Sequence, residues 1–98
     1  MARLGVVYAP KALEDIDQLL ERSQAEWGQE QMLVYAEALE KAVSLLRDFP
    51  RLGSTIRGLR KGQSQYIFGA HRIIYRAVTD NLIVVRVLHQ NMDVRKHR

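Results

Sequence analysis

The chain has no cysteine among its 98 residues, and it contains no long uncharged apolar run. Disulfides and thiolate metal sites are therefore excluded, and a reducing cytosol is the best fit. A membrane-spanning helix needs about 20 consecutive apolar residues, and no segment approaches that length. The N-terminal sequence MARLGVVY also lacks the apolar stretch and cleavage site of a signal peptide. We expect a cytoplasmic protein that does not bind a membrane.

Several catalytic and cofactor-binding motifs are also missing from the sequence. It has no phosphate-binding glycine loop, no His-Glu-x-x-His metal spacing and no Gly-x-Ser-x-Gly turn. The acidic residues fall on predicted helix surfaces and do not cluster near the three histidines, so a general base has few candidates. We predict no cofactor and no metal.

Acidic residues are scarce in the second half of the chain. Residues 51–98 contain ten Lys and Arg against two Asp and Glu, a net charge of +8, whereas residues 1–50 contain five against nine, a net charge of −4. This asymmetry predicts a basic surface that meets an acidic partner, such as a nucleic acid, a peptide or a protein. The alternative is that these arginines only solvate the surface.

The first half of the chain has the pattern of a strand followed by two helices. Residues 4–8 are apolar and suit a strand. Apolar residues spaced by three and four predict one helix from Pro10 to a glycine cap at Gly28, and a second from about residue 29 to Phe49, before Pro50. The short turn predicts an antiparallel helical hairpin, with Trp27 packed in the core or in the hairpin.

The second half has the pattern of an antiparallel sheet. A basic, glycine-rich connecting arm occupies residues 50–64, and three apolar segments with short turns between them follow at 65–68, 71–78 and 82–88. These segments predict a three-stranded meander. The polar tail, about 94–98, is predicted to be frayed or to form one helical turn.

Together these elements predict an α+β fold in the order β-α-α-β-β-β. The N-terminal strand must join the meander, because a lone strand cannot satisfy its backbone hydrogen bonds. The helical hairpin should then cover one face of the sheet, giving two layers around one core. The length fits a single domain over residues 1–98.

Side-chain alternation along the last two strands predicts where the arginines point. The helix-facing set should be Ile73, Tyr75, Ala77, Ile83, Val85 and Val87. The opposite set should be Arg72, Ile74, Arg76, Val78, Leu82, Val84, Arg86 and Leu88. A surface of arginines among aliphatic residues suits a peptide or a nucleic acid. Alternatively, each arginine pairs with a local acid such as Asp80 or Asp93. His89 should face the helices as a hydrogen-bonded histidine, unless a bulge turns it toward the arginines.

Five blocks of sequence stand in a specific order and spacing: Tyr8-Ala9-Pro10-Lys11-Ala12 with Asp15 and Ile16, Leu46-Arg47-Asp48-Phe49-Pro50-Arg51-Leu52-Gly53, Leu59-Arg60-Lys61-Gly62, Gly69-Ala70-His71-Arg72-Ile73-Ile74-Tyr75-Arg76 and Val85-Arg86-Val87-Leu88-His89-Gln90-Asn91-Met92-Asp93. Together they resemble the ParE branch of the ParE/RelE toxin superfamily. The resemblance runs from about Tyr8 to Asp93. It implies a helical hairpin on a small antiparallel sheet, in agreement with the prediction from periodicity.

The resemblance also implies a function and two partners. Toxins of the ParE type stall DNA gyrase on cleaved DNA, and a ParD-like antitoxin neutralises them by folding a disordered acidic segment along the toxin. Coupled folding of that kind suits a basic, partly apolar groove. Direct contact with nucleic acid is not expected to be the primary interaction. The predicted partner-binding residues, for antitoxin or target, are Arg57, Arg60, Arg72, Arg76, Arg86 and His89.

The alternative is a ribosome-dependent messenger-RNA endoribonuclease, similar to RelE and YoeB. In this sequence the residues for such a reaction would be Lys61, Arg72 and His89. The set is incomplete, because Gly58 stands where a YoeB-like glutamate would lie. Nearby Arg60 cannot replace the glutamate, because an arginine side chain stays protonated at neutral pH and does not act as a base.

Overall fold

The chain folds in the predicted order, and its tail forms a short helical turn. The computed structural model describes residues 4–98, so the part of the predicted domain formed by residues 1–3 lies outside it. The elements are β1 Gly5–Tyr8, α1 Pro10–Trp27, α2 Gln29–Asp48, a 3-10 turn Pro50–Leu52, β2 Ser64–Phe68, β3 His71–Val78, β4 Asn81–His89 and α3 Val94–His97. The predicted α+β fold class is therefore confirmed.

One four-stranded sheet has the order β1-β4-β3-β2. The β2–β3 and β3–β4 pairs are antiparallel and form the predicted meander. As expected, β1 completes the sheet, and it runs parallel to β4, with Gly5 opposite Asn81 and Tyr8 opposite Val84. Because this pairing ends at Val84, no strand of the described residues 4–98 lies beside that edge of β4 beyond Val84.

The helical hairpin packs against one face of the sheet and forms the main core. The buried residues of this core are Ala12, Leu19, Leu39, Ala42, Val43, Leu46, Phe68, Ile73, Tyr75, Leu82, Val84 and Val87.

Within the described part of the chain, no helix has the length and apolar character that crossing a bilayer requires.

The opposite face of the sheet carries a second, smaller apolar cluster. Ile74 and Leu88 lie at its centre, with less than 2% of each residue exposed, and Val94 of α3 packs on them. Ile56 and Leu59 of the connecting arm complete the cover. The face that the hairpin leaves uncovered is therefore not bare, because the arm and α3 cover its middle.

A β-bulge in β4 overturns part of the predicted side-chain alternation. Ile74 pairs with Arg86 while Tyr75 pairs with Val84, so Val85 is an extra residue without a partner in β3. An extra residue reverses the faces on one side of the bulge. Before it, Leu82 and Val84 face the helices, where we had predicted residues 83 and 85. The prediction for Val87 is confirmed.

The predictions for the end of α1, for Trp27 and for the C-terminal tail had different outcomes. Gly28 ends α1 with a φ of 90°, as expected of a glycine cap. Trp27 does not pack in the core or hairpin, because it lies at the hairpin tip and is 71% exposed. Of the two alternatives for the tail, the structure has the helical turn: the carboxylate of Asp93 accepts a hydrogen bond from the backbone N–H of Arg95, 2.9 Å away.

Candidate partner-binding site

A group of cationic side chains belongs to the sheet face opposite the hairpin and to the segments that cover it. We refer to this group as the basic face: Arg57, Arg60, Lys61, Arg72, Arg76, Arg95, Lys96 and Arg98. Two segments bring most of it there, because Ile56 and Leu59 anchor the arm while Val94 anchors α3. Local packing thus collects cations that are far apart in the chain.

Arg72 is held in a defined position on the basic face. Its Nη1 donates to Oε1 of Gln65 at 2.9 Å, and its Nη2 donates to the carbonyl of Gln90 at 2.8 Å. Its buried Nε has no hydrogen-bond partner among the described residues. A side chain that is already ordered loses less conformational entropy on binding, so Arg72 is well prepared to contact an anion.

Four other basic residues named in the sequence analysis lie open to solvent. Arg57, Arg60, Lys61 and Arg76 are all exposed. Within residues 4–98, none of their side chains has an acidic partner within ion-pair distance. Exposed cations of this kind accelerate and orient the approach of an acidic partner.

Arg86 lies on the predicted face of the sheet, opposite Ile74, but its guanidinium is already engaged by α1 and α3. Its Nε and Nη2 donate to the two carboxylate oxygens of Asp15 on α1, at 2.8 and 2.9 Å, and its Nη1 donates to the carbonyl of His97 at 2.7 Å. The hydrogen bond to Asp15 raises the pKa of Arg86 above its ordinary value. Asp15 lies close to Arg86 because the edge of β4 is open there, and the same carboxylate accepts the backbone N–H of Val87 at that edge.

His89 faces the helices, as expected, and lines a groove of about 850 Å³ beside the hairpin tip. We refer to it as the histidine groove. The Tyr35 hydroxyl and Nδ1 of His71 share a hydrogen bond, and the His71 and His89 rings meet edge-on with their centroids 5.3 Å apart. Nδ1 of His89 accepts the backbone N–H of Asn91 at 3.2 Å.

The electrostatics of the groove favour a neutral His71. Burial lowers the pKa of His71 from its ordinary value, and the neighbouring His89 and the Arg22 guanidinium lower it further. Burial also raises the pKa of the Tyr35 hydroxyl. Protonation of His71 is therefore unfavourable in the free protein.

The structure does not bring together the residues named for the ribonuclease alternative. His89 and Arg72 lie on opposite faces of the sheet, because His89 lines the groove while Arg72 bonds to Gln65 on the far face. Lys61 precedes β2, which begins at Ser64, whereas His89 lies beside the other end of that strand, near Phe68. The two ends of β2 are about 13 Å apart, at about 3.3 Å per residue.

The histidine groove was not predicted from the sequence. The turn between β3 and β4 was recognised, but an uninterrupted register from it would place Leu88 opposite His71, and only the bulge at Val85 shifts the pairing to His89. The contacts to Tyr35 and Arg22 could not have been inferred either, because they depend on how the hairpin lies across the sheet.

Comparisons with known proteins agree over nearly the whole chain. Residues 6–94 match the family described as the ParE toxin of the type II toxin-antitoxin system, parDE. Toxin ParE1 of Caulobacter vibrioides is 33% identical over 87 residues, covering 89% of this chain and 90% of that protein. Toxin ParE1 of Mycobacterium tuberculosis is 32% identical over 87 residues, covering 88% and 89%.

Solved structures show the same fold. A chain of the chromosomal ParDE system from P. aeruginosa superimposes with a TM-score of 0.76 at 15% identity, covering 89% of this chain and 96% of that one. A chain of the RelBE2 toxin–antitoxin complex from Mycobacterium tuberculosis has a TM-score of 0.64 at 23% identity, covering 91% and 100%. On the family match and the sequence identity together, the chain belongs to the ParE toxin family of type II toxin–antitoxin systems.

Proposed function

We propose that this toxin inhibits DNA gyrase in the cytoplasm and that a ParD-like antitoxin neutralises it. The observation that carries the proposal is the match to the ParE family over residues 6–94, which leaves no large part of the chain for an unrelated activity. The relatives named Toxin ParE1 align over nearly their full lengths, and the solved ParDE system shares the fold.

The site geometry supports gyrase inhibition over messenger-RNA cleavage. General acid–base catalysis requires its groups within hydrogen-bond reach of one substrate. Arg72 and His89 lie on opposite faces of the sheet, and Lys61 lies near the other end of β2. A toxin that acts by binding does not need such a convergence.

The basic face supports an acidic antitoxin segment as the partner. Apolar Ile67 is 49% exposed on β2, next to the ordered guanidinium of Arg72, with which it is paired across the strands. An amphipathic acidic segment could therefore bury apolar area while its carboxylates meet arginines. Such charge-assisted contacts contribute both affinity and orientation.

Purified toxin is expected to abolish plasmid supercoiling by gyrase and to cause cleaved plasmid to accumulate. The reason is that a toxin bound to the enzyme–DNA intermediate prevents resealing of the cut strands. The measurement is a gel assay with gyrase, relaxed plasmid and ATP, and the control is toxin already mixed with its antitoxin. Normal supercoiling at a large molar excess of toxin would contradict the proposal. Transcript cleavage in a translating extract, lost in Arg72→Ala, would favour the ribonuclease instead.

Arg76→Ala and Arg72→Ala are each expected to weaken antitoxin binding by about tenfold or more, because each removes a charge-assisted contact. Isothermal titration calorimetry measures the change. Lys11→Ala is the matched control, because it removes an exposed cation from α1, away from the basic face. Affinities within twofold of the parent for both arginine variants would show that the antitoxin does not use this face.

A further inference from the structure

We propose that the histidine groove is a second docking site for the antitoxin, and that it binds a carboxylate on an apolar segment between Arg22, His71 and His89. This proposal rests on the proposed function, because the antitoxin is the partner. The groove lies on the helix side of the sheet, so a chain bound to both sites would pass around the molecule from the basic face.

The groove has the size and the lining of a binding site. A volume of about 850 Å³ lies within the range of roughly 300–1,000 Å³ that is typical of ligand sites. Leu19, Tyr35 and Val87 supply apolar walls, and Met92 lies at the rim. Trp27, also at the groove, has 71% of its surface exposed. Apolar surface of this kind beside a few convergent polar groups commonly marks an interaction site.

Charge complementarity identifies the occupant as acidic. The half of the chain that contains the hairpin has a net charge of −4, which disfavours carboxylates in general. The groove differs, because Arg86 neutralises the Asp15 carboxylate while the exposed Arg22 has no ion-pair partner among the described residues. Glu26 on α1 is the acidic group that remains at the rim. An incoming carboxylate therefore meets a guanidinium and two imidazoles.

Binding at this site should take up a proton. In the free toxin, burial and the neighbouring His89 and Arg22 keep the pKa of His71 below its ordinary value. The facing groups are Asp15, Arg22 and Glu26 of α1, Tyr35 of α2 and His89 of β4. A bound carboxylate favours the protonated imidazole, so the pKa of His71 is higher in the complex than in the free toxin. Affinity is then highest at low pH and decreases as the pH rises through the bound-state value.

Trp27 makes the groove directly observable, because it is the only tryptophan in the chain. Titration with an antitoxin that lacks tryptophan should shift its fluorescence emission to the blue. Arg22→Ala should weaken binding by about tenfold, because it removes the charge that remains at every pH. Lys11→Ala, an exposed cation on the same helix outside the groove, should leave the affinity within twofold of the parent.

The pH dependence separates the groove from the basic face, because arginines do not titrate near neutral pH. Parent affinity should fall by about fivefold or more between pH 6 and pH 8, and His71→Gln should remove most of that change. If no complex forms with the parent toxin, both this proposal and the antitoxin proposal are overturned. If a complex forms but Trp27 emission, Arg22→Ala and the pH profile show no effect, only the groove proposal is overturned.

Discussion

Asp15→Asn is expected to lower the free energy of unfolding by about 3–5 kcal/mol, the usual cost of leaving one charge of a buried ion pair uncompensated. The side chains of Arg86 and Asp15 are only 13% and 12% exposed, so solvent screens the pair weakly. The carboxylate also satisfies the backbone N–H of Val87 at the open edge of β4. One substitution therefore weakens the attachment of α1 to the sheet and, through Arg86, that of α3.

Urea denaturation measures this effect, and Asp17→Asn provides the control, because it removes an exposed carboxylate from the same helix. The control should change the free energy of unfolding by less than about 0.5 kcal/mol. Asp15→Leu combined with Arg86→Met should be more stable than Asp15→Asn, because it leaves no buried charge. A loss below about 1 kcal/mol for Asp15→Asn would mean that the ion pair contributes no more than a surface pair.

Gly53→Ala is expected to lower the free energy of unfolding by about 3 kcal/mol, from overpacking and from strained hydrogen bonds. A Cβ at this position would lie 2.5 Å from the carbonyl oxygen of Gln65 and 2.8 Å from Cε1 of Tyr75. The φ of Gly53 is −73°, an ordinary value, so the cost arises from packing and not from backbone conformation. The glycine lies where the connecting arm leaves the hairpin.

Two sets of hydrogen bonds meet at Gly53 and would be disturbed together. The Tyr75 hydroxyl donates to the carbonyl of Pro50 at 2.7 Å and accepts the N–H of Gly53 at 2.9 Å. The backbones of Ser54 and Gln65 exchange hydrogen bonds of 2.9 and 2.8 Å. Because these contacts fix the start of the arm, Gly53→Ala should also weaken antitoxin binding at the basic face without removing a cation.

Thermal and urea denaturation of three variants would test this interpretation. Tyr75→Phe alone should cost about 1–2 kcal/mol, because it removes both hydroxyl hydrogen bonds. Gly53→Ala combined with Tyr75→Phe should recover only part of the loss, because the Gln65 carbonyl still opposes the new methyl group. Full stability in Gly53→Ala would show that the arm shifts without cost.

Local patterns in the sequence were sufficient for the elements and their order. Spacings of three and four residues identify α1 and α2, while Gly28 and Pro50 mark their ends. Short turns at 69–70 and 79–81 identify the meander. These signals depend on neighbours within a few residues, so they can be read without knowing how the chain folds back on itself. The uneven charge also indicated an acidic partner before the surface was known.

Only the tertiary structure decided how the side chains divide between the two faces. Strict alternation assumes an uninterrupted strand, and the bulge at Val85 reverses it for residues 82–85. The partner of Arg86 is Asp15, 71 residues away, and the partner of His71 is Tyr35, 36 residues away. Pairings of that length form when the hairpin and α3 settle on the sheet, because the open edge of β4 and the space beside the hairpin tip exist only in the folded chain.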